Sequence, residues 1–247
     1  MKIWQKSTYS LMIFALLTLI SVTPFASQAK DKGQLKEVVK IYYRYDDLPD
    51  FQKKGKPVAQ CTQSTNENVN DFGLTGWYMP ASGLTYKIST STLPSNISLV
   101  DFRNAIANST STWEANSSSQ WTYGGTTNIK RSAKDGVNLV AFGSASGGIA
   151  VTRTWYWTGT GEVAESDMIF SSSLAWSITS PSAGDCGGAA NTYDVQNIAT
   201  HEFGHQVGLN DLYSSTDRDL TMYGYGTMRE LKKDSLGTGD ISGAKSF

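Results

Sequence analysis

The chain of 247 residues contains only 2 histidines. They stand four positions apart, in His201-Glu202-Phe203-Gly204-His205. Random placement gives that spacing in about one case in 100, before a Glu is required between them. On an α-helix, positions i and i+4 share a face, so both imidazoles can reach one ion. At about 100° per residue, with Ile198 at 0°, His205 falls near ~340°, His201 near ~300° and Glu202 near ~40°. Phe203 and Val207 fall on the opposite side, where they can pack into a core. Glu202 therefore sits beside the metal face without displacing a ligand, the place of a general base acting on water.

A zinc site open to chemistry needs a third protein ligand and a position for water. The chain continues Gln206-Val207-Gly208-Leu209-Asn210-Asp211. Gly208 can take a positive φ, end the helix and turn the chain back. Asp211 can then present its carboxylate to the same ion. Asp217 and Asp219 are rivals without that spacing. The chemistry such a set supports is hydrolysis: zinc acidifies a water from about 15.7 toward about 7 and polarises a carbonyl. Glu202 would take the water's proton and later deliver it to the leaving amine.

The elements that must position these residues are legible in outline. Asp194 is a candidate N-cap for the motif helix and Gly208 its terminator. Ser98, with Asp101 three residues on, opens a second helix over 99–115, where Leu99, Phe102, Ile106 and Trp113 recur on one face. Residues 84–88, 121–127, 137–142, 149–157 and 162–170 read as strands. The last two flank a Gly-Thr-Gly turn and form a hairpin.

His201, Glu202, His205 and Gly208 resemble the long zinc motif of metzincin metallopeptidases. Asp211 stands where most metzincins carry a third His, as in snapalysin and some bacterial matrixin-like proteases. Met222-Tyr223 is similar to the matrixin Met-turn, with Gly224 where Pro is usual. Gly239-Asp240-Ile241-Ser242-Gly243 resembles the start of the final matrixin helix. The resemblance implies an α+β fold over 75–247: a twisted, mostly parallel sheet with an antiparallel edge strand, packed against the active-site helix and a second long helix. It also implies a zinc endopeptidase acting on proteins or peptides, with Tyr223 and Gly224 near the pocket for the residue after the scissile bond. A substrate strand would pair with an edge strand, here taken as Ile149–Trp157.

The remaining sequence sets the context. Lys2 and Lys6, the apolar run Leu11 to Ile20 and the small residues before Lys30 read as a signal peptide over 1–29. The run is short of the ~20 residues of a membrane span. The expectation is a secreted, monomeric protein with no stable membrane anchor. Net charge is -1, so no basic field invites nucleic acid. Residues 30–74 begin with a charge-dense stretch and read as an N-terminal extension or short pro-region. Export permits a disulfide between Cys61 and Cys186. The competing role for Cys61 is a thiolate plugging the zinc.

Calcium lacks support, because no D-x-D-x-D-G run occurs. Asp135, Glu165 and Asp167 read as scattered, solvated carboxylates. Two rival readings stand beside hydrolysis. One is a secreted zinc-binding protein without catalysis, against which the intact Glu202 speaks. The other is a carbohydrate-binding module, suggested by Trp155, Tyr156 and Trp157, which leaves the zinc motif unexplained.

Overall fold

A computed structural model describes residues 31–53, 56, 65–179 and 187–247. The leader reading, Cys61 and Cys186 lie outside the described residues. Asp31–Phe247 forms one compact unit.

The expected strands form where β-branched and aromatic residues alternate or run together. They are β2 (Leu84–Ser89), β3 (Trp121–Thr127), β4 (Asn138–Gly143), β5 (Ala150–Trp157) and β6 (Val163–Ser171). One strand comes from the charge-dense segment: β1, Leu35–Arg44. Short pairs β7 (Trp176–Ser177) and β8 (Tyr193–Asp194) make a separate two-stranded ribbon, and β9 (Tyr225–Gly226) joins the main sheet. The main sheet has the order β3-β2-β4-β6-β5-β1-β9. β3, β2, β4 and β6 are parallel, and β5 runs antiparallel to β6 as the predicted hairpin.

One expectation needs correction here, and it turns on residues 35–44. β1 pairs antiparallel with β5 from Leu35↔Trp157 to Tyr42↔Ala150, and parallel with β9. The charges of this segment hide a strand pattern, because Val38, Val39, Ile41, Tyr42 and Tyr43 sit among them. Arg153 pairs with Glu37 at 2.8 Å across the strands. Ile149–Trp157 is therefore not a free edge, since β1 covers its outer side.

The two helices pack on one face of the sheet. α1 (Leu99–Glu114) opens at Ser98, whose Oγ accepts from the Asp101 N–H at 3.1 Å. Its apolar row of Phe102, Ala105, Ile106 and Trp113 is buried against Phe142, Phe170 and α2 (Val195–Val207). The Trp113 indole donates to the Thr200 carbonyl at 2.8 Å and ties α1 to α2. Val140, Phe142, Met168 and Phe170 face these helices, while Leu139, Ala141, Val151 and Ile169 form a smaller cluster on the opposite face. The alternation within β4 and β6 decides which face each residue serves. Trp155 is buried in the sheet rather than presented to solvent. A final short helix, α3 (Thr238–Ala244), spans the Gly239–Gly243 motif. Among the described residues, no helix is long and apolar enough to cross a membrane.

Candidate metal centre

The motif helix α2 begins at Asp194. One carboxylate oxygen of Asp194 accepts from the Asn197 N–H at 3.0 Å, and the other accepts from Thr179 N–H at 2.8 Å. The helix ends at Gly208, whose φ of 120° no L side chain adopts comfortably. Gly208 and Leu209 N–H groups both return to the Gly204 carbonyl, closing the turn. The next residues are pinned as well: Asn210 N–H donates to the Gly73 carbonyl at 2.8 Å, and Leu212 N–H to the Met222 carbonyl at 2.8 Å. This clamped turn carries Asp211 back to the helix face that bears the histidines.

His201, His205 and Asp211 each offer a ligand atom, and these atoms lie within 4.8 Å of one another. Both imidazoles are fully buried. His201 Nδ1 lies 2.7 Å from the Thr221 carbonyl, and His205 Nδ1 lies 2.8 Å from the Leu209 carbonyl. A carbonyl only accepts, so each Nδ1 carries the proton and each Nε2 is left with a lone pair. The two Nε2 atoms face Asp211 Oδ1 at 3.3 and 3.4 Å. His201 Nε2, His205 Nε2, Asp211 Oδ1 and Glu202 Oε1 are buried and make no hydrogen bond among the described residues. Several acceptors converging in a dry site are costly unless a cation lies between them. Two imidazoles and a carboxylate are a donor set that fits Zn²⁺ with a position left open.

Glu202 is held from the sheet. Thr152 on β5 donates its hydroxyl to Glu202 Oε2 at 2.5 Å, which leaves Oε1 unengaged. Burial lifts the Glu202 carboxyl to about 7, with His205 and the Thr152 hydroxyl pulling the other way. In the metal-free chain, burial pushes His201 down to about 4, against the pull of Asp211. Burial works against charge on His205 too, but the Asp211 carboxylate outweighs it and raises that imidazole. Asp211 also suffers burial, yet the two imidazoles hold its carboxyl well below the usual carboxylate range.

The floor of the site is the Met-turn. Met222 is buried, with its sulfur against Gly204 of α2. Asp240 on α3 is the anchor that sequence reasoning did not identify. Its carboxylate accepts from the N–H groups of Thr221 at 2.7 Å, Met222 at 3.0 Å and Gly237 at 2.9 Å. Thr221 in turn supplies the carbonyl that orients His201. Gly224, where matrixins usually have Pro, has a steric reason: a Cβ there would come 2.5 Å from Tyr213 and 3.0 Å from Asp211 Cβ. The rival carboxylates lie elsewhere. Asp219 pairs with Lys232 at 3.1 Å, and Asp217 is buried beside the 214–216 turn.

Asp135, Glu165 and Asp167 correct the expectation of solvated carboxylates. Glu165 and Asp167 are buried on the sheet face away from the helices, and Asp135 alone is exposed. Glu165 accepts from Asp135 N–H, Gly136 N–H and Lys134 Nζ. Asp167 accepts from Ala133 N–H at 3.1 Å and Leu139 N–H at 2.8 Å. Their oxygens are spent on donors, which is no setting for a calcium ion.

A search of curated proteins gives no match. The matrixin family model matches residues 77–247, which takes in α1, α2 and α3, the zinc motif and the Met-turn. The chain belongs to the matrixins, a family of zinc-dependent metalloendopeptidases that act on proteins.

Proposed function

We propose that this chain is a secreted zinc endopeptidase with His201, His205 and Asp211 as metal ligands and Glu202 as general base. The observation that carries the reading is the convergence of buried lone pairs from the two Nε2 atoms and Asp211 Oδ1, with Glu202 Oε1 free beside them. Bound zinc supplies Lewis acidity and a water whose pKa falls toward neutrality. The protein does the rest. The Thr221 and Leu209 carbonyls fix both imidazoles in the ligating tautomer. Thr152 orients Glu202 so that Oε1 can take the proton from water. The same oxygen then returns that proton to the amide nitrogen as the C–N bond breaks. Secretion rests on the basic and apolar pattern of residues 1–29.

The test is cleavage of casein by wild type and Glu202→Ala, each with and without a zinc chelator. We expect cleavage by the wild type alone, abolished by the chelator, with zinc retained in the variant. Equal cleavage by both proteins would refute the role of Glu202. N-terminal sequencing of protein recovered from the medium tests secretion; a start at Met1 would refute the leader.

A further inference from the structure

A strand from the N-terminal segment occupies the β5 edge that was expected to receive an incoming peptide. β1 fills the outer edge of β5 and then continues parallel to Tyr225 and Gly226. Main-chain groups hold it from both flanks. Ile149 N–H donates to the Tyr42 carbonyl at 2.7 Å, and Tyr43 N–H to the Gly224 carbonyl at 3.4 Å. This is recognition by strand addition, in which pockets for particular side chains give specificity.

Tyr42 alone among the residues of β1 is buried. Its ring stacks on His201 with centroids 3.9 Å apart and planes at 16°. Its hydroxyl meets Lys233 Nζ. Lys233 is itself fully buried. It also donates to the carbonyls of Tyr223 at 3.2 Å and Tyr225 at 3.0 Å, with Glu230 at 3.4 Å. Two residues earlier, Lys40 reaches Asp211 at 3.9 Å and donates to Asn210 at 2.5 Å. β1 thus crosses the metal cluster and drops one anchor beside it. A Phe in that pocket would bury the same ring and forfeit the lysine bond.

We infer that the pocket bounded by His201, Tyr223, Tyr225 and Lys233 reads the tyrosine of an extended peptide, and that Leu35–Arg44 is the chain's own occupant of it. The substrate class, peptides that present tyrosine there, rests on the proposed peptidase function. The seating of β1 does not. Lys233 is the specificity-determining residue, because it meets the hydroxyl that separates tyrosine from phenylalanine. β1 must leave β5 before a substrate can enter.

The test uses the full chain with zinc and two readouts. The first is hydrogen exchange of the amides of residues 38–42 while peptides copying 35–44 are added, with Tyr, Phe or Ala in the place of Tyr42. The Tyr peptide should displace β1 at a concentration about tenfold lower than the Phe peptide, the worth of one hydrogen bond. Within the chain, Tyr42→Phe should speed exchange about tenfold and Tyr42→Ala more. Lys233→Met should erase the Tyr–Phe difference. Should that variant fail to fold, Tyr42→Phe carries the same comparison. The second readout is cleavage of quenched fluorescent peptides, where Tyr should exceed Phe about tenfold in kcat/KM and Tyr42→Ala should cleave faster than wild type. Equal potency of the Tyr and Phe peptides, or unchanged exchange in both Tyr42 variants, would overturn the inference. Displacement by the Tyr peptide without cleavage of any peptide would uphold the pocket and overturn the peptidase reading.

Discussion

Two clusters of buried carboxylates lie on opposite faces of the same sheet, and they differ in what meets their oxygens. Glu165 and Asp167 point away from the helices and are met by N–H groups of the 133–139 loop. Glu202, on α2, and Asp211, just past its end, lie on the helix side, and each keeps one oxygen, Oε1 and Oδ1, that no donor meets. Burial is alike in both. The first cluster has been answered by the protein itself, so its charges fasten a loop. The second has been left for something the chain does not supply. Acidic residues alone therefore say little about a cation; the orphaned lone pairs do.

The largest expected effect separates the clusters by metal retention. Asp211→Ala should weaken zinc retention by about a hundredfold or more, since it removes one of the three proposed ligands. Glu165→Ala should leave retention unchanged. Equilibrium dialysis against a competing chelator measures both, and zinc loss in Glu165→Ala would break the comparison. Second, Glu165→Gln should cost about 2–3 kcal/mol in urea unfolding, because a charged acceptor serving three donors becomes a neutral one. No loss there would mean that the loop bonds are idle.

A third prediction sharpens the electrostatics. Burial pushes Asp167 up to about 7, against its bonds from Leu139 and Ala133 and with Glu165 adding to the rise. Between its ordinary value of 3.8 and about 7, the folded chain holds a proton that the unfolded chain has released. Stability from this group is therefore greatest at the acid end and falls as pH rises through that window. The advantage of wild type over Asp167→Asn should shrink by up to about 1 kcal/mol per pH unit there and level off above it. A difference that grows with pH would reverse the sign and sink the assignment. The smallest effect is calcium: millimolar Ca²⁺ should move the melting temperature by less than about 1 °C, whereas zinc added to the metal-free chain should raise it by several degrees. A calcium shift as large as that of zinc would erase the distinction.

Much of the metal centre is legible in the sequence because its causes are local. Residues 194–211 carry a cap, a helical repeat, two histidines one turn apart and a glycine that reverses the chain. α1 and the five strands from 84 to 171 were legible for the same reason: each carries its own period. β1 was not, because its charges masked its alternation, and nothing near it in sequence says that β5 has an open edge. Asp240 and Thr152 were also invisible, since an exposed acid or hydroxyl looks the same in sequence as a buried one.

By itself, then, the sequence pointed to the family and to the candidate donor set, since spacing on one helix and one turn suffices to bring His201, His205 and Asp211 together. Only the tertiary structure decided which carboxylates are satisfied and what lies over the metal cluster. Tyr42 and Lys233 are 191 residues apart. Their meeting depends on sheet order and on the packing of the Met-turn against α3. No local propensity encodes a contact of that range, because it exists only once every intervening element has been packed.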